Sequence, residues 1–88
     1  MIFRLSRHAQ EEMIRRQIPP EWIDALLAAP EQTIEQSGGT KILQSRFSVP
    51  DGRMYLVRAV VAPEKQPAVV VTVYRTSKIE KYWKGESL

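Results

Sequence analysis

Ala68-Val69-Val70-Val71-Thr72-Val73-Tyr74-Arg75 is the stretch that decides the fold. Branched and aromatic side chains are stiff at χ1 and pack well on a pleated surface. A run this apolar predicts a strand covered on both faces, hence central in its sheet. Working upstream, the loop Pro63–Pro67 separates it from a second apolar run, Met54–Ala62. Pro50-Asp51-Gly52 is a turn signal, because proline fixes φ and glycine supplies a left-handed position. Lys41–Ser48 precedes it as a further strand, entered from Ser37-Gly38-Gly39-Thr40, a tight hairpin turn. Gln32–Gln36 is short and polar, as edge strands are. The reading is a four-stranded antiparallel sheet.

Farther upstream the period changes from strand to helix. Ser6 caps a helix running to about Arg16, its hydroxyl accepting from an otherwise unpaired N–H. Leu5, Ala9 and Met13 form that helix's apolar stripe. A second helix begins at Pro19-Pro20, with Ile18 and Ile23 at the positions of a hydrophobic staple. Trp22, Ile23, Leu26 and Leu27 give it a broad apolar face, and Pro30 stops it. Downstream of the sheet, Ser77-Lys78-Ile79-Glu80 has the spacing of a capping box. Ile79, Tyr82 and Trp83 then lie on one face of a short last helix that docks on the body. The expected fold is α+β in the order ααββββα, with residues 1–88 as a single domain.

The chain has no cysteine, which excludes disulfides and thiolate metal sites. One histidine and no carboxylate cluster leave no expected metal site and no expected cofactor. There is neither a signal-peptide core nor a run approaching the ~20 apolar residues of a membrane span, so the cytoplasm is the expected location. Residues 1–44 carry five Lys/Arg against six Asp/Glu, while residues 45–88 carry eight against four. That basic second half is compatible with a phosphate-bearing partner and equally with an ordinary solvated surface.

His8 is the one imidazole available for proton transfer near neutral pH. It projects about 60° from Leu5, at the border of the apolar stripe beside Glu12 and Arg15. Arg16 falls inside that stripe's sector, so its guanidinium needs a partner or a ligand. Arg58 interrupts the row Met54, Leu56, Arg58, Val60, while Tyr55, Val57, Ala59 and Val61 form an equally apolar opposite row. Periodicity does not choose which row faces the helices. Thr72, Tyr74 and Thr76 share one face of the last strand and form a row of hydroxyls ending near Lys78. Val71, Val73 and Arg75 share the other face. Ser6 and His8 lack a triad's third member, which excludes serine hydrolysis.

The run Ser6-Arg7-His8-Ala9, followed by Met13, Arg16, Ile18 and Trp22-Ile23, resembles the opening of domain-of-unknown-function family 4258. Pro30 fits the end of that family's helical part. Val71-Thr72-Val73-Tyr74, with Lys78 and Tyr82 after it, is similar to its closing motif. The family in turn resembles small toxin-like RNases of RelE and barnase type. That resemblance implies two helices before a four-stranded antiparallel sheet, and a site shared between the first helix and the last strand. Carried onto this chain, it implies His8, Arg16, Thr72 and Tyr74 as catalytic candidates. His8 would move a proton, Arg16 with Arg58 would hold a phosphate, and Lys78 and Arg75 would attract the backbone. The expected activity is metal-independent cleavage of RNA. The alternative is a non-enzymatic module that binds nucleic acid, or a small antitoxin-like protein or second copy through the edge strand.

Overall fold

In the computed structural model, which describes residues 2–85, the decisive run forms β5 (Ala68–Thr76). Around it stand β1 (Phe3–Leu5), α1 (Arg7–Arg15), α2 (Pro20–Ala28), β2 (Gln32–Glu35), β3 (Lys41–Ser48), β4 (Met54–Ala62) and α3 (Ile79–Tyr82). The strands form one sheet in the order β1-β5-β4-β3-β2. The α+β class agrees with the sequence reading, but the sheet has five strands and the order is βααββββα. The added strand is β1, which pairs parallel to β5 through Phe3↔Ala68, Arg4↔Val69 and Leu5↔Val70. Three residues carry too little periodicity to register as a strand, and Leu5 fits the apolar stripe of the following helix equally well.

β1 places β5 in the sheet's interior, but the face of β5 away from the helices is covered only in part. The pairs Val61↔Val70 and Val60↔Thr72 leave Val71 as the extra residue of a β-bulge. Val70 and Val73 therefore both face the core, while Val71 is 39% exposed. Where β1 ends, the Ser6 N–H donates to the Val70 carbonyl and the Ser6 hydroxyl donates to that of Val71. The same hydroxyl accepts from the Ala9 N–H, capping α1.

α1 packs on β5, and α2 packs on β3 and β4. Ala9, Ile18, Ile23 and Leu26 meet Leu43, Val57, Ala59, Val61, Val70 and Val73 in the main core. The row Val57, Ala59, Val61 thus faces the helices, and Arg58 lies on the other side of the sheet. Trp22 stacks on Phe47 with centroids 5.0 Å apart. Pro20 opens α2 and both staple residues, Ile18 and Ile23, are buried.

β2 is the outer strand beside β3, as its polarity predicts. Gly38 and Gly39 turn the chain at φ +87° and +83°, conformations that side chains with a Cβ rarely adopt. The capping box expected at Ser77–Glu80 does not form. Lys78 occupies the cap position without a side-chain bond, and its N–H donates instead to the Thr76 hydroxyl. Thr76 competes successfully because an ST-type turn closes over fewer residues than a cap.

Candidate functional site

The face away from the main core carries a polar ladder across four strands. Gln32 stands opposite Gln44, Gln44 opposite Arg58, and Arg58 opposite Tyr74. Residues paired across strands project to the same face, so these side chains meet in a row. The Gln44 amide donates to Gln32 Oε1 (2.6 Å), and Arg58 Nε donates to Gln44 Oε1 (2.8 Å). Arg58 Nη1 donates to the Tyr74 hydroxyl. Gln44 is fully buried and Arg58 is 7% exposed, yet no buried side-chain polar atom lacks a partner among the described residues. That is the condition under which a buried charge and amide are tolerated.

The chain after β5 folds back over this ladder. The Gln44 amide donates to the Tyr82 carbonyl (3.2 Å). Gln32 donates to the Lys84 carbonyl (2.7 Å) and accepts from the Lys84 N–H (3.1 Å). The Tyr82 ring lies 4.3 Å from the Arg58 guanidinium and meets Tyr74 edge-on at 6.2 Å. Trp83 lies 4.0 Å from the Arg46 guanidinium, which Glu31 holds through two side-chain bonds.

α1 approaches the ladder from the edge of β5 beyond β1. His8, Glu12 and Arg16 follow one another at i, i+4 and i+8, a stripe beside the core-facing Ala9 and Met13. Glu12 is 7% exposed and accepts from Arg15 (2.8 and 2.7 Å) and Arg16 (2.7 Å). Those two hydrogen-bonded guanidiniums hold its carboxyl at about 2, well below its ordinary 4.5. Arg16, half-exposed, reaches to 6.0 Å from the centroid of the Tyr74 ring. Tyr74 is thereby flanked by Arg16 and by Arg58, whose guanidinium is 5.7 Å away.

Three of the residues singled out from the sequence, Arg58, Thr72 and Tyr74, thus share one face of the sheet, and Arg16 reaches toward Tyr74 from α1. Arg16 and Arg58 each approach the Tyr74 ring, and Thr72 shares the Tyr74 face two residues away. His8 lies on the Arg16 stripe but is exposed, and among the described residues its imidazole forms no side-chain hydrogen bond. Arg75 is on the opposite face, 4.6 Å from the Tyr55 ring, because alternation along β5 sends it away from Tyr74. Lys78 is exposed on a separate groove shared with Met54, Ile79 and Trp83. Glu12, Gln44 and Gln32 were not singled out. The stripe spacing signals the first, whereas the glutamines become visible only once strand register is known.

Among the described residues no group of three or more His, Cys, Asp or Glu is placed to hold a metal ion. No helix among them is long and apolar enough to cross a membrane. No curated protein and no solved structure matches the chain. A family model does match, over residues 5–75, from β1 into β5 and including Glu12, Arg16, Gln44, Arg58 and Tyr74. The chain belongs to the family described as Domain of unknown function (DUF4258).

Proposed function

We propose that this chain is an RNA-acting domain, a metal-independent ribonuclease of the toxin-like kind, with its site where α1 meets β5. The observation that carries the reading is the convergence of Arg16 and Arg58 on Tyr74, beside the helical stripe that bears His8. Cleavage through the RNA 2′-hydroxyl needs a proton-transfer group and cations for the phosphate, and no metal. The 2′-oxygen attacks phosphorus as the bond to the 5′-oxygen breaks; His8, exposed at the start of α1, takes the 2′-hydroxyl proton, and water protonates the departing 5′-oxygen. Arg16 faces the phosphate, with Glu12 fixing its guanidinium. Glu12 itself, held near 2, is too weak a base to take the proton at neutral pH. Tyr74 and Thr72 orient substrate oxygens, and Arg58 holds the Tyr74 hydroxyl in position.

The test is cleavage of a single-stranded RNA oligonucleotide in excess chelator. Expected is product ending in a cyclic phosphate, with His8→Ala and Arg16→Ala each slowing it about a hundredfold or more at unchanged circular dichroism. No cleavage by the parent protein, or full activity in both variants, overturns the proposal. One observation favours a second reading, a non-catalytic nucleic-acid-binding module: His8 has no partner to orient it among the described residues. That reading predicts RNA binding that weakens steeply with salt and shows no turnover.

A further inference from the structure

The two guanidiniums on the ladder face are engaged in the same way. Arg58 commits its edge to Gln44 and Tyr74, and Arg46 commits its edge to the Glu31 carboxylate. What each leaves open is its flat face. On that face lies an aromatic ring of residues that follow one another in the chain, Tyr82 at 4.3 Å and Trp83 at 4.0 Å. Arg46 stands two residues from Gln44, the residue opposite Arg58. The two guanidiniums are therefore diagonal neighbours on adjacent strands, about 7–8 Å apart at the backbone. A guanidinium held along one edge keeps its orientation, and its flat face is then available to stack a planar ring. Unpaired bases are bound in this way on arginine planes.

We infer that Arg58 and Arg46 form a stacking site for two successive unpaired bases of single-stranded RNA, occupied in the free protein by Tyr82 and Trp83. The inference rests on the RNA reading above and adds to it a base subsite and its cover. The cover is built to leave. α3 has four residues, no side-chain cap and no buried residue. The bonds that join Gln32, Gln44, Arg58 and Tyr74 run from strand to strand, so they persist when the segment lifts. The family model also ends at residue 75, before the covering segment begins, while the ladder lies within it. Lys78, Lys81 and Lys84 against Glu80 leave the cover net positive, which draws a polyanion to the place it must open.

The experiment uses the full chain and a 2′-O-methylated pyrimidine oligonucleotide, which lacks the hydroxyl needed for cleavage and so reports binding alone. Amide exchange is followed at Trp83 and Lys84, whose N–H groups bond to the Ile79 carbonyl and Gln32 Oε1. Expected is faster exchange at both on saturation, and binding about tenfold tighter in the double variant Tyr82→Ala, Trp83→Ala. Adding Arg46→Gln to that variant should remove the gain. If the oligonucleotide binds with unchanged exchange at both amides, the stacking site is wrong and the RNA reading survives. If neither protein binds it, both fail. If an aromatic peptide lifts the segment and RNA does not, the site belongs to a protein partner and the inference is overturned. The exchange measurement uses the parent protein and stands even if the double variant fails to fold.

Discussion

Gln17 shows how a single residue can be asked to do what glycine does better. It follows α1 at φ +53°, the only non-glycine among the described residues with positive φ. Its N–H donates to the Ile14 carbonyl, and the Ile18 N–H donates to that of Met13. This bond pair is a Schellman ending, and Ile18 is the buried apolar residue that usually accompanies it. A side chain in this conformation costs about 1–2 kcal/mol, partly offset in a glycine variant by greater freedom when unfolded. Gln17→Gly should therefore stabilise the protein by about 0.5–1 kcal/mol, read as a higher urea midpoint at unchanged slope. Loss of stability would show that the Gln17 side chain holds something the backbone geometry does not reveal. Glu12 makes a prediction in pH. Its carboxyl is held at about 2 in the folded chain against an ordinary 4.5, so the folded state binds fewer protons. The stabilisation it supplies is complete above the unfolded value and disappears as pH falls from there through about 2. Glu31 and Asp51 are lowered as well, so the parent and Glu12→Gln both weaken in acid. The gap between them should be wide at neutral pH and close on acidification. A gap constant with pH would mean that Glu12 acts by shape alone.

At the scale of elements, the ladder makes β4 and β5 partners through side chains as well as backbone. Tyr74→Phe keeps the ring between Arg16 and Arg58 but removes the hydroxyl that accepts from Arg58. A buried guanidinium donor then loses its partner, at a cost of about 1–3 kcal/mol. Tyr82→Phe keeps both the ring and the carbonyl that bind the ladder, and should change stability by less than about 0.5 kcal/mol. Thermal melts of the two variants separate the hydroxyl from the ring, and equal losses would discount the ladder. The elements themselves were largely legible. The limits of β3 and β4 follow from turn chemistry at Gly38-Gly39 and Pro50-Asp51-Gly52, where backbone geometry depends on local residues alone. β1 was not legible, because a three-residue strand owes its existence to an edge offered by residues more than sixty positions away. The same distance hid the bulge at Val71, which turned an expected core valine outward. For the site, Arg16, Arg58 and Tyr74 could be marked as polar groups in apolar rows. That they meet at all depends on register, which alternating patterns on both faces of β4 leave undetermined.

At the scale of the whole molecule, the sheet separates two kinds of packing. One face is closed by α1 and α2 around aliphatic side chains, and the other by a short segment that rests on guanidiniums and amides. The backbone ladder within the sheet joins β1, early in the chain, to β5, late in it. That closure predicts that strands and N-terminal helices unfold together as one cooperative unit. The covering segment contributes no fully buried residue, so it should open by a separate, smaller transition. The two tryptophans report on the two faces independently. Trp22 is stacked on Phe47 against the main core, and Trp83 lies on Arg46 as part of the cover. In Trp83→Phe, the fluorescence of Trp22 should follow the far-ultraviolet circular dichroism through a single urea transition. In Trp22→Phe, the fluorescence of Trp83 should change at lower urea than the circular dichroism of the same protein. Comparing each probe with circular dichroism of its own variant removes any effect of the substitution on overall stability. Coincident curves in both variants would make the cover part of the folding unit, and a site that opens there would then require unfolding of the entire sheet. Separate curves in the first variant would instead divide the helices from the strands, against the single closure that β1 imposes.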